Sequence, residues 1–147
     1  MRLPIEKQVS SLEPSRRLKE LGVRQESYFA WCPNYVTEEM AIDAGDRTMA
    51  GMVHSHVISV CPLGIRNDDY FAAFTVAELG EMLMHHDGGF TDTRLYGYGR
   101  GWLTNKQADQ EIRISYDDQG DTEADARAKM LIYLIENGLL DPKAVTR

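Results

Sequence analysis

The chain has 147 residues, with 23 aspartates and glutamates against 16 lysines and arginines, a formal charge of −7. A charge of that sign repels a phosphate backbone, so direct nucleic-acid binding starts at a disadvantage. The longest uninterrupted apolar run, residues 130–135, is far short of the roughly 18 residues needed to cross a bilayer.

A single domain over residues 1–147 is the expectation, since a chain of this size can bury roughly 68–70% of its unfolded surface. The first residues, Met-Arg-Leu-Pro-Ile-Glu-Lys, contain no apolar core of a signal peptide. The expected location is therefore the cytoplasm of the host cell, with no membrane partner. In a reducing compartment Cys32 and Cys61 stay thiols, and both are expected to be small buried hydrophobes.

In chain order, the first helix is predicted to open near Ser11, tolerate Pro14 in its first turn, and stop at Gly22. Its solvated face carries Arg16, Arg17, Lys19 and Glu20. Residues 27–32 (Ser-Tyr-Phe-Ala-Trp-Cys) end at Pro33 and predict a strand, and residues 57–61 predict a second one that pairs with it. Thr37-Glu38-Glu39-Met40 carries a helix-start signal, but residues 37–56 are expected to form a long connection.

Phe74-Thr75-Val76-Ala77-Glu78-Leu79 is the strongest local signal. Thr75 can cap the Glu78 amide, Glu78 can reach back to Thr75, and Phe74 can staple onto Leu79. This second helix is predicted to end around His85 and His86, before Asp87-Gly88-Gly89. Residues 102–104 and 111–116 predict a hairpin whose second arm turns Ile112, Ile114 and Tyr116 inward. The third helix opens with Thr122 and Asp125 as an approximate capping box. It carries an apolar stripe of Ala124, Ala128, Leu131 and Ile135, and ends at Asn137-Gly138. An element order without βαβ alternation predicts an α+β fold, a small antiparallel sheet with about three helices packed on one face.

Three candidate chemistries stand out. His54 and His56 would lie on one side of a strand, and with His85 and His86 they are the candidate metal ligands. Cys32 or Cys61 with one of the first two histidines would make a nucleophile and base, although apolar flanks favour a structural thiol. Gly-x-Ser-x-Gly, the phosphate loop and His-Glu-x-x-His are all absent. The run from Arg94 to Trp102 interleaves arginine, tyrosine and glycine. It matches the RNP1 signature only in part, and Tyr96, Tyr98, Arg100 and Trp102 better suit a glycine-rich loop that anchors a protein partner. A helix-turn-helix fails because its recognition helix would run into the strand-like residues before Pro33.

Five acids crowd one short stretch, Asp117, Asp118, Asp121, Glu123 and Asp125, either as a solvated helix start or as a field that attracts a basic surface.

Residues 18–27 (LKELGVRQES) followed by Trp31, residues 74–83 (FTVAELGEML) and residues 124–140 (ADARAKMLIYLIENGLL) together resemble short proteins encoded by bacteriophages and prophages. These are cap-and-core motifs without a catalytic signature. The resemblance implies a phage accessory protein that binds a host or phage protein, including a nucleic-acid-binding complex. Inhibition of a host defence complex, as anti-CRISPR proteins do, is one such role. The acidic stretch would then mimic nucleic acid, no cofactor is implied, and self-association stays open. The competing expectations are a small metal-dependent enzyme built on the histidine pairs, and a virion or assembly component.

Overall fold

Two glycine-terminated helices show most plainly how this sequence becomes structure. In the computed structural model, which describes residues 3–60, 68–84, 90–97, 100–107, 110–117 and 120–143, helix α1 covers Ile5–Gln8 and helix α2 covers Leu12–Glu20. At the end of α2, Gly22 takes φ +91°, the Val23 amide donates to the Leu18 carbonyl and the Gly22 amide to the Lys19 carbonyl. This Schellman closure satisfies the last carbonyls, and the glycine takes the left-handed conformation without a Cβ penalty. Helix α5, Glu123–Glu136, ends in the same way, with Gly138 at φ +70° and the Leu139 amide bonded to Leu134.

Strand β1 is Phe29–Tyr35, and it pairs antiparallel with β2, Val53–Val60, and with the two-residue β3, Phe71–Ala72. The expected pairing is present, but β2 begins four residues earlier than predicted. The connection before it is also structured, with α3 at Glu38–Asp43 and a 3-10 turn at Arg47–Met49. The Thr37 hydroxyl caps α3 by accepting from the Met40 amide at 3.1 Å, and reciprocal bonds between Val36, Gly51 and Met52 close the neck of the excursion.

Helix α4, Val76–Leu83, starts with the full capping box expected at Thr75 and Glu78. A meander follows: β4 (Phe90–Gly97), β5 (Arg100–Gln107) and β6 (Gln110–Tyr116). The predicted pair β5 and β6 is there, with Ile112 and Ile114 half-buried and Tyr116 buried. Strand β4 is the correction, since residues 94–97 and 100–101, expected in a loop before Trp102, lie in the paired strands β4 and β5.

The fold is thus α+β and antiparallel, with two three-stranded sheets among the described residues, β2-β1-β3 and β4-β5-β6, where one was expected. Helix α5 packs against β5 and β6 and also against α2 and α4. Leu18, Phe74, Leu79, Leu103, Met130, Leu131 and Leu134 are fully buried in one cluster that joins these elements. No helix among the described residues is long and apolar enough to cross a membrane.

Candidate functional site

Four segments far apart in the chain meet in a cleft of about 700 Å³. Helix α1 and Leu3 form one wall, and Phe29 at the start of β1 a second. The first turn of α4 supplies Val76 and Ala77, and the exit from β6 into α5 supplies Tyr116, Asp117 and Glu123. The N-terminal segment is held there by a buried hydroxyl hub. Ser10 Oγ lies 2.7 Å from Ser15 Oγ and accepts from the Phe74 amide at 3.0 Å, while the Ser10 carbonyl accepts from Trp31 Nε1 at 3.0 Å. The cleft is lined by the apolar side chains of Ile5, Phe29 and Val76 together with Tyr116, and by the charged Lys7, Asp117 and Glu123.

Tyr116 is the unusual member. Its side chain is buried, and its hydroxyl has no hydrogen-bond partner among the described residues. Burial pushes its pKa up, the Glu123 carboxylate adds to the rise, and Arg127 partly offsets it. Two outcomes are expected for Tyr116→Phe. Removing an unsatisfied buried hydroxyl leaves stability at neutral pH unchanged or raises it by about 1 kcal/mol. Above the ordinary tyrosine value of about 10, the unfolded wild-type chain ionises before the folded one, so stability falls as pH rises toward the raised folded value. Urea titrations of both chains at pH 8 and pH 11 check this: the phenylalanine variant should lose less on going to high pH.

The acidic stretch is mostly engaged within the molecule. Asp121 pairs with Lys129 at 2.5 Å and Glu123 with Arg127 at 2.9 Å. Asp125 does not complete a capping box. Thr122 accepts from the Asp125 amide as expected, but the Asp125 carboxylate accepts from the Ser11 amide at 2.7 Å, tying α5 to the start of α2. Asp117 is exposed at the cleft margin, where its carboxylate accepts from the Gly120 amide. Asp118 lies outside the described residues. The field these carboxylates present is smaller than five solvated acids would give, because Lys129 and Arg127 neutralise two of them locally.

Residues 96–97 and 100–102 lie at the end of the β4–β5 pair where the two strands adjoin in sequence. Gly97 pairs with Arg100 and Arg94 with Trp102, and Tyr98 lies outside the described residues. Tyr96 belongs to β4 and Arg100 is exposed. Trp102 is half-buried, and the Arg113 guanidinium sits 5.1 Å over its ring. This cation–π contact already occupies one face of the indole.

His54 and His56 line one shallow pocket with Arg16, Asp69 and Phe71. His56 Nε2 lies 2.8 Å from the Asp69 carbonyl, and its ring is 5.3 Å from that of Phe71. Among the described residues no three His, Cys, Asp or Glu side chains converge on a metal-sized site. The Arg16 charge in the same pocket would oppose a cation. His85 and His86 lie outside the described residues, just beyond α4. Cys32 is half-buried rather than buried, with its thiol donating to the Ala30 carbonyl at 3.7 Å, and Cys61 lies outside the described residues. Cys32 pairs with Val57 while Pro33 pairs with His56, so alternation sends Cys32 and His56 to opposite faces of the sheet. That geometry removes the pairing of Cys32 with His56.

Sequence reasoning missed the cleft because its walls come from residues near 3–8, from 29, from 75–77, and from 116, 117, 120, 122 and 123, which no spacing rule connects. The one local hint was the inward position of Tyr116 on an alternating strand. No protein family, curated protein or solved structure matches this chain.

Proposed function

We propose that this chain acts by binding another protein, with the cleft between α1, α4 and the β6–α5 turn as the receiving surface. The observation that carries this reading is the cleft itself, lined by Ile5, Phe29, Val76 and Tyr116 together with Asp117 and Glu123. Such a surface suits a partner segment that seats an apolar side chain in the cleft and brings a base to Asp117, Glu123 being paired with Arg127, and the net charge of −7 favours approach of a basic partner. Tyr96, Arg100 and Trp102 on the β4–β5 hairpin provide a second contact region. In the phage setting that three segments of the sequence resemble, the partner is a host or phage protein. A nucleic-acid-binding defence complex, the target class of anti-CRISPR proteins, is the first candidate.

Ala77 is exposed and lines the cleft without entering the core, so Ala77→Arg fills the site and places a cation where the partner's base would sit. Affinity capture with the tagged wild-type chain should recover a stoichiometric partner with a basic surface, and Ala77→Arg should lower recovery by at least about tenfold, a loss of ~1.4 kcal/mol. Equal recovery by both chains would move the contact away from the cleft.

A further inference from the structure

Among the described residues strand β2 is the edge of its sheet, and from Ser55 onward, past a bulge near its start, it lacks the features that normally protect an edge. It is eight residues long, contains no Asp, Glu, Lys, Arg or Pro, and pairs only with β1 among the described residues. Val57 is 47% and Val60 65% exposed. Edge strands in monomers are usually short, charged, bulged along their length or covered, since their outward amides and carbonyls otherwise recruit another strand. The other long edges of this protein carry charges, Asp92 and Arg94 on β4 and Glu111 and Arg113 on β6, and β3 has only two residues.

The register fixes which groups of β2 point outward. The Phe29 carbonyl accepts from the Ala73 amide, so the backbones of Phe29, Trp31 and Pro33 are directed toward β3 and those of Ala30, Cys32 and Asn34 toward β2. This also explains a proline in a central strand: its missing N–H falls on the side where β3 has already ended. The partners Ser59, Val57 and Ser55 therefore bond to β1, and His56, Ile58 and Val60 turn their amides and carbonyls away from it. Beyond them the ladder is irregular, because Asn34 pairs with Ser55 and Tyr35 with Val53, leaving His54 as the bulged residue.

We propose that β2 is a homodimer interface, in which two copies pair antiparallel about a two-fold axis at Ile58. The regular outward positions His56, Ile58 and Val60 map onto themselves under that axis: Ile58 meets Ile58, and His56 meets Val60, each as a hydrogen-bonded pair. Val57 then faces Ser59 of the other copy as a non-hydrogen-bonded pair. A second copy is the occupant that fits because the edge is complementary to itself, and a two-fold is the usual symmetry of a soluble homodimer. Charge selects the same strip. Two chains of −7 repel each other over most of their surfaces, and β2 is a stretch where they meet without opposed charges. The two sheets would merge into one, in the order β3-β1-β2-β2-β1-β3.

The test is the mass in solution by light scattering across a concentration series. The expected mass is twice the chain's 16.7 kDa, and a monomer at every concentration up to about 100 μM, weaker than any specific dimer of use, overturns the proposal. Val57 and Ser59 are both exposed, so charges can be placed there without entering the core. Val57→Lys/Ser59→Lys and Val57→Glu/Ser59→Glu each set like charges opposite one another and should raise the dissociation constant more than about a hundredfold. Mixing the two variants should restore a heterodimer. Persistence of the dimer in either variant alone, or no recovery on mixing two folded variants, contradicts this interface. A register check that does not depend on charge uses Val57→Cys/Ser59→Cys in a Cys32→Ala/Cys61→Ala chain. Those positions should lie about 4.5 Å apart across the dimer, within reach of a disulfide, so oxidation should give a covalent dimer on a non-reducing gel. Cross-linking no greater than in the cysteine-free Cys32→Ala/Cys61→Ala parent overturns the register.

Discussion

Phe74→Ala should remove about 4 kcal/mol of folding stability, the largest loss expected from any single truncation in this chain. The ring is fully buried, and it sits one residue before the Thr75 cap and opposite Leu79, so it staples the first turn of α4 to the core. Its backbone is committed as well. The Phe74 carbonyl accepts from the Ser10 amide at 2.8 Å and the Phe74 amide donates to Ser10 Oγ at 3.0 Å, which ties the N-terminal segment to α4. A cavity at this point loosens both walls of the cleft together. Native domains have roughly 5–15 kcal/mol in all, so the variant should approach half-unfolding in mild urea and melt at least about 8 °C lower. Urea and thermal unfolding monitored by circular dichroism measure this, and a loss under about 1 kcal/mol would show that α4 is held by something other than this staple.

Glu78→Ala comes second, with an expected loss of about 3 kcal/mol. Glu78 is a carboxylate with 4% of its surface exposed, at the third position of α4. Its Oε1 accepts from the Thr75 amide at 3.0 Å and from the Ser27 hydroxyl at 2.9 Å, so one side chain closes the capping box and ties the segment before β1 to α4. The positive end of the helix dipole further favours an anion at this position. Alanine removes the acceptor and leaves the Thr75 amide without its partner, which costs more than the loss of a solvated bond. Glu78→Gln keeps an oxygen where both donors aim and should recover more than half of the loss. If glutamine were as damaging as alanine, the charge would outweigh the hydrogen bonds, and the cap would not be the source of stability.

Local signals carried much of this fold. Thr75 with Glu78, the glycines after α2 and α5, and the alternation of Ile112, Ile114 and Tyr116 each prescribe a conformation through residues within a few positions of one another. Strand β4 was not legible because Thr91-Asp92-Thr93-Arg94 has no apolar face, and it lies between glycine-rich stretches that suggest a loop. Pairing with β5 makes it a strand, with contacts such as Asn105 Nδ2 to Thr91 Oγ1 at 3.1 Å. The residues before β2 showed the Thr37 cap but no sustained apolar period, since most of α3 faces solvent. The acidic stretch was legible as a cluster, yet its electrostatics depend on partners the local sequence does not announce. Asp125 binds the Ser11 amide from 114 residues away. The cleft is the extreme case, assembled wholly by long-range packing.

Amide hydrogen exchange, measured on the free chain and on its complex with the captured partner, tests the binding account most directly. The first-turn amides of a helix have no intrahelical acceptor, so residues 76–77 and 123–124 should exchange fast in the free chain and report sensitively on anything seated over them. Binding through the cleft predicts slowed exchange at residues 75–77 and 116–124. Unchanged exchange there, with protection confined to other surfaces, would contradict it.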